Sequence, residues 1–163
     1  MASSAGAASP TVATFDDFVV EACAALAAME DAVGNPETGE RSAQTEELQA
    51  ALEAEDHNAA VQAGAAIDEK LRVAREHAAA AARWEPGAGM MQAFDRLMAA
   101  FQTQAAADVK RGNADPDATQ RSFEEAGGVD AWTDMWEASQ RVMTARPAGT
   151  PPRTCRGGLG ASF

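Results

Sequence analysis

Apolar residues along this chain recur at spacings of three and four, the period of a helix that buries one face. Phe15, Phe18, Val19, Ala22, Leu26, Met29 and Val33 form the first such run. Thr14 stands just ahead of it and three residues before Asp17, the form of an N-cap with an acid in the first turn. Gly34-Asn35-Pro36 stops the run. Thr45 can cap a second, shorter helix whose apolar face is Leu48, Ala51 and Leu52. Glu55-Asp56-His57-Asn58 then interrupts the pattern, and Asp56 or Asn58 can cap a third helix. Val61, Ala65, Ile67 or Asp68, Leu71, Ala74 and Ala78 carry that helix towards Trp84, and one long helix across the interruption is the alternative.

Trp84-Glu85-Pro86-Gly87 reads as a stop, because the residue before a proline is pushed out of the helical region. The clearest helix follows, with Met90, Met91, Phe94, Leu97, Met98, Phe101 and Ala105 on one face and Asp95, Gln102 and Gln104 away from it. Phe94 and Phe101 are expected in the core. A short helix from about Pro116 to Ala126 and another from about Asp130 to Ala145 are divided by Gly127-Gly128, and the last has Trp132, Met135, Trp136 and Met143 on its apolar side. From Arg146 the chain turns to Pro, Gly, Arg and Thr without periodicity, which predicts disorder.

The fold class predicted is therefore all-α: a single-domain bundle of four to six helices over residues 14–145, with disordered tails at 1–13 and 146–163. Composition agrees, since alanine is abundant, tyrosine is absent and β-branched residues are sparse. A chain of 163 residues suits one core.

Charge narrows the partners. There are 13 Lys+Arg against 25 Asp+Glu, a net −12, and the three arginines beyond residue 145 leave −15 on residues 1–145. Such a body repels nucleic-acid phosphate and anionic lipid, so no direct nucleic-acid or membrane partner is expected. A protein partner chosen electrostatically should be basic, while the same charge also keeps an alanine-rich helical protein in solution. No run approaches the ~18 apolar residues of a membrane span. Cys23 and Cys155 lie far apart in the sequence and suggest neither a disulfide framework nor a zinc set. Cys23 reads as a small buried hydrophobe and Cys155 as an incidental thiol between Arg153 and Arg156. That usage points to a reducing, cytoplasmic setting, although the small hydroxylated residues of Met1 to Ala13 also suit an export or transit signal.

Candidate chemistry is sparse. In the stretch from Asn113 to Glu124, Asn113, Asp115, Asp117, Thr119 and Glu124 fall at the spacing of an EF-hand calcium loop. Ala118 occupies the position where the sharp turn needs glycine, and Asp115-Pro116 has the form of an N-cap followed by proline at the first helical position. A capped turn between two helices is the better reading. Glu53, Asp56 and His57 would share a face only on an unbroken helix, and His77 is followed at three and four residues by alanine, so no metal site is expected. No serine or cysteine stands in a nucleophile motif and no glycine-rich phosphate loop occurs, so no catalytic or cofactor-binding residue is assigned.

The segment Leu48 to Leu71, LQAALEAEDHNAAVQAGAAIDEKL, resembles the helix, acidic break and second helix of histidine-phosphotransfer domains. That family carries a phosphoacceptor histidine on the second helix, whereas Gly64 to Glu69 contains none. The resemblance implies an antiparallel helical pair and no phosphorelay chemistry. Trp132 and Trp136, four residues apart, suit either core or an interface, where tryptophan is enriched. By exclusion the chain reads as a non-enzymatic acidic binding protein, an adaptor or escort chaperone for a basic or apolar protein partner, with homo-oligomers compatible. A DNA-mimicking inhibitor of a nucleic-acid-binding protein and a helical enzyme without a recognisable motif are the alternatives.

Overall fold

In the computed structural model, which describes residues 13–163, six α-helices account for most of the chain. They are α1 (Phe15–Val33), α2 (Ala43–Glu53), α3 (His57–Ala81), α4 (Glu85–Arg111), α5 (Pro116–Glu125) and α6 (Gly128–Ala145). No strand occurs among the described residues. The all-α expectation holds, with the helix number at the top of the expected range. The predicted tail at 1–13 lies outside the described residues except for Ala13.

Local chemistry explains where the helices begin. Thr14 Oγ1 accepts from the Asp17 amide at 3.2 Å while Asp17 Oδ2 accepts from the Thr14 amide at 2.9 Å, a reciprocal capping box at the head of α1. Helix α2 is capped by Ser42, three residues before the expected Thr45. Its hydroxyl accepts from the Thr45 amide at 3.1 Å and donates to the Ala32 carbonyl at 2.7 Å. One buried hydroxyl thus starts α2 and fastens it to the end of α1. Asp56 caps α3, accepting from the Ala59 amide at 3.0 Å, so the acidic break separates two helices. The hairpin implied by the Leu48–Leu71 resemblance is present in α2 and α3.

Pro86 and Gly87 do not form a stop. Helix α3 ends earlier, at Ala81, and Trp84 is the N-cap residue of α4, with Pro86 in its first turn where no amide hydrogen is needed. The break sits in Ala82 to Trp84. Gly87 is required there, since a Cβ on it would lie 2.3 Å from the ring of Phe18. Gly128 plays the same part at the start of α6, where a Cβ would lie 2.3 Å from Phe123.

Helices α1, α3, α4 and α6 pack in that order, each mainly on the next, while α2 lies over α3 and α1, and α5 over α4 and α6. One apolar core runs through them, with Phe18, Leu26, Met29, Leu71, Phe94 and Met135 among its fully buried members. Two expected faces shift. The buried face of α3 uses Ala60, Ala63, Ile67 and Leu71, so Val61 points outward at 45% exposure and Ala65 is also exposed. Phe101 is half-buried, stacked on Phe123 with centroids 4.9 Å apart, in place of the fully buried core position expected.

The C-terminal segment is the largest correction. Residues 153–163 fold into a clip against α1 in place of a disordered tail. The Arg153 and Phe163 backbones exchange two hydrogen bonds of 2.9 and 3.0 Å around a 3-10 turn at Gly158–Gly160. Cys155 is joined to Cys23 of α1 by a disulfide, Arg153 pairs with Asp16 at 2.6 Å, and the Leu159 amide donates to Glu30 Oε2 at 3.2 Å. Phe163 is buried. Neither periodicity nor composition registers such an anchor, because a cross-link and one aromatic plug are single-residue events. The pairing also removes the ground for expecting free thiols and a reducing compartment.

Candidate functional site

The short helix α2, which packs on α3 and α1, and the short helix α5, which packs on α4 and α6, stand apart without substantial contact between them. Between them opens a cavity of about 220 Å³ whose floor is Val33, Leu48, Leu52, Ile67, Phe101 and Ala105. Arg41, Thr45, Gln49, Gln104 and Thr119 form its rim. The cavity continues over Phe101 into a furrow bounded by Pro116, Gln120 and Phe123 of α5. The floor exists because α2 contributes only one narrow apolar edge, which covers α3 and leaves the Phe101 side of α4 open.

Asp108 closes one end. It is a buried acid on the apolar face of α4, and its Oδ1 accepts from Thr119 Oγ1 at 2.7 Å and lies 2.8 Å from Arg111 Nη2. The same Arg111 nitrogen donates to Thr119 Oγ1 at 3.2 Å, and Arg111 Nε donates to the Asn113 carbonyl at 3.1 Å. A buried carboxylate is tolerated only when paired and hydrogen-bonded, and here the pairing fastens α5 and its preceding turn to the end of α4. Asp108 therefore shapes the cleft. The sequence analysis missed it, although an acid seven residues after Phe101, in phase with the apolar face, was the available signal.

The flanking helices are rich in acids, while the exposed charged residue of the lining itself is Arg41. Helix α2 carries Glu46, Glu47 and Glu53 and no base, and α5 carries Asp117, Glu124 and Glu125 against Arg121. On each wall a rim glutamine is tied to a carboxylate: Gln49 Nε2 donates to Glu53 at 2.7 Å, and Gln120 Nε2 donates to Glu124 at 2.7 Å. Both acids are exposed and lie outside the lining of the cavity and the furrow.

The stretch from Asn113 to Glu124 falls at this cleft as a capped turn. Asp115 Oδ1 accepts from the Ala118 amide at 3.0 Å, Pro116 opens α5, and Glu124 lies near the far end of that helix. Glu53, Asp56 and His57 do not share a helix, because α2 ends at Glu53 and α3 begins at His57. His77 Nδ1 lies 2.6 Å from Glu21 Oε2 across the α1–α3 contact, a pairing invisible to local sequence reading. Trp132 and Trp136 are both partly buried on α6, edge to face with centroids 5.8 Å apart. No helix among the described residues is long and apolar enough to cross a membrane. Comparison of the chain with known protein families, with curated proteins and with solved structures gave no match.

Proposed function

We propose that the protein is a non-enzymatic binding module, an adaptor or escort, whose α2–α4–α5 cleft receives a basic amphipathic segment of a protein partner. The observation that supports this reading is an apolar floor, Leu48, Leu52 and Phe101, flanked by two helices that expose Glu46, Glu47 and Glu53 on α2 and Asp117, Glu124 and Glu125 on α5. An apolar side chain of the partner would gain burial on the floor, while flanking lysine or arginine residues meet the exposed acids that α2 and α5 carry beyond it. The segment is bound as an amphipathic helix or turn, with its apolar face inward.

DNA mimicry needs a band of unneutralised acids. Many acids here are instead spent within the protein: Asp31 on Lys70, Glu69 and Glu76 on Arg72, Asp95 on Arg75 and Asp134 on Arg96. The Cys23–Cys155 cystine suits an oxidising compartment better than a reducing cytoplasm.

Affinity capture from native lysate, repeated with Gln104→Trp, tests the reading. Gln104 is half-buried at the rim, and an indole there fills the mouth of the cleft. A partner retained at high salt by the wild type and lost by the variant is the expected result. A partner held equally by both, or a salt-labile DNA-processing protein, would contradict it.

A further inference from the structure

Most polar side chains that line the cavity and the furrow of the α2–α4–α5 cleft are bonded within the protein. Thr45 donates to the Val33 carbonyl, Gln49 is tied to Glu53 and Gln120 to Glu124, and Thr119 donates to Asp108, which also pairs with Arg111. Two are left over. The Arg41 guanidinium and the Gln104 side-chain amide line both the cavity and the furrow, and neither makes an ion pair or a side-chain hydrogen bond among the described residues. Both border the floor at Phe101, with Gln104 three residues beyond it on α4.

The side chain of Arg41 is exposed, but its backbone is held from both sides. The Asn35 amide donates to the Glu40 carbonyl at 2.7 Å, and the buried Ser42 hydroxyl donates to the Ala32 carbonyl at 2.7 Å. Gly34, at φ +93°, lets the loop close, since a Cβ there would lie 2.7 Å from the Arg41 Cα. A tightly bonded loop thus delivers an unpaired cation to the edge of an apolar cavity, in a protein of net charge −12.

A guanidinium offers a planar fork of N–H donors that fits a carboxylate, and the glutamine amide adds further donors. Beside an apolar floor, such donors suit an apolar group with a carboxylate close by. We propose that the segment received by the cleft carries one acid a single helical turn from its apolar anchor, and that Arg41 and Gln104 bind that acid. The inference rests on the cleft reading given above and adds the residue that selects the partner. Spacing of three or four residues puts anchor and acid on one face of the segment. The acid is a side chain of a continuous segment, because exposed acids stand on both flanks, on α2 and on α5, and the bases that meet them extend past the cavity in both directions. Arg41 repels a uniformly basic segment and admits one with an acid at its centre, so specificity has a repulsive element as well as an attractive one.

Calorimetric titration of the full chain and of Arg41→Gln, with amide NMR to locate the contact, tests the proposal. The probes are amphipathic helical peptides with a leucine anchor, lysines towards both ends and a glutamate one turn before or one turn after the leucine, each beside its glutamine counterpart. The wild type should bind one glutamate peptide roughly five-fold more tightly than its glutamine counterpart. Arg41→Gln should lose that preference and bind the glutamine peptide at least as tightly as the wild type does, because a repelling charge is gone. Its circular dichroism should be unchanged, since Arg41 bonds to no other side chain. Shifts at Phe101 and Gln104 with equal affinity for the glutamate and glutamine peptides overturn the acid pairing and leave the cleft reading standing, as does a preference that Arg41→Gln retains. If no peptide shifts these residues, both the pairing and the cleft reading fall. Octanoate shifting them where no peptide does would assign the cavity to a small apolar acid and contradict the proposal.

Discussion

Phe163 meets Phe18 of α1 edge-on, ring centroids 5.3 Å apart, and Phe18 in turn lies 5.1 Å from Trp84 at the α3–α4 junction. The C-terminal clip thereby caps the aromatic cluster that seats α1 against the turn into α4. The Cys23–Cys155 disulfide closes a loop with a sequence separation of 132, and removing a loop of that size from the unfolded ensemble stabilises by about 5 kcal/mol in the chain-entropy view. Chemical denaturation should show Cys155→Ser losing about 2–5 kcal/mol and Phe163→Ala about 3–5 kcal/mol. Both act on one clip, so the double variant should lose less than the sum. Near-neutral effects of both changes would mean that the clip does not hold α1.

Two glycines of α4 should respond with opposite sign. Gly87→Ala places a methyl group into the ring of Phe18 and should cost about 1–3 kcal/mol. Gly89 has nothing within 4 Å of its would-be Cβ, so Gly89→Ala should stabilise the helix by roughly 0.5–1 kcal/mol. Thermal melts compare the pair directly, and equal shifts would contradict the Phe18–Gly87 contact.

Asp115 serves as the N-cap of α5. Asp115→Ala should therefore lower stability by about 0.5–2 kcal/mol, equally in chelator and in excess calcium, and Glu124→Gln should change little. A calcium-dependent rise in melting temperature that either substitution abolishes would show ligand binding to the folded state and displace the capped-turn reading.

The Thr14 amide and hydroxyl hold the Asp17 carboxyl below its ordinary value of 3.8. Since the folded pKa is the lower one, the stability that Asp17 contributes is complete above its unfolded pKa and is lost as pH falls through the depressed folded value. Asp17 is fully exposed, so the effect is read best as a titration. In a carboxyl NMR titration, Thr14→Ala removes the hydroxyl and keeps the amide, so it should move the Asp17 midpoint part of the way upward, and an unchanged midpoint would rule out the hydroxyl as a cause.

Much of the helical frame was legible in the sequence because strong periodicity and caps act locally. Thr14, Asp56 and the Asp115-Pro116 pair mark helix starts through bonds to amides within three residues. Boundaries went astray where a tertiary contact decided. Ser42 caps α2 because Ala32 accepts its hydroxyl proton, and Pro86-Gly87 opens a helix because only glycine fits beneath Phe18. The α3 face slipped at Val61 because several alanines offer nearly equal alternatives, and only packing against α1 and α4 chooses among them. The cleft was not legible at all: it depends on α2 and α5 standing apart over Phe101, a relation between elements distant in sequence. Asp108 did leave a signal, an acid in phase with an apolar face, but it was not picked out.

The cleft reading is tested most directly by an amide NMR titration of the protein with a basic amphipathic helical peptide, set beside an acidic peptide of the same apolar pattern. The basic peptide should shift Gln49, Phe101, Gln104, Thr119 and Phe123 first, keep that pattern in high salt, and lose it in Gln104→Trp, while the acidic peptide should leave these residues in place. Shifts scattered over the acidic surface and abolished by salt, or centred away from α2 and α5, would contradict a binding cleft there.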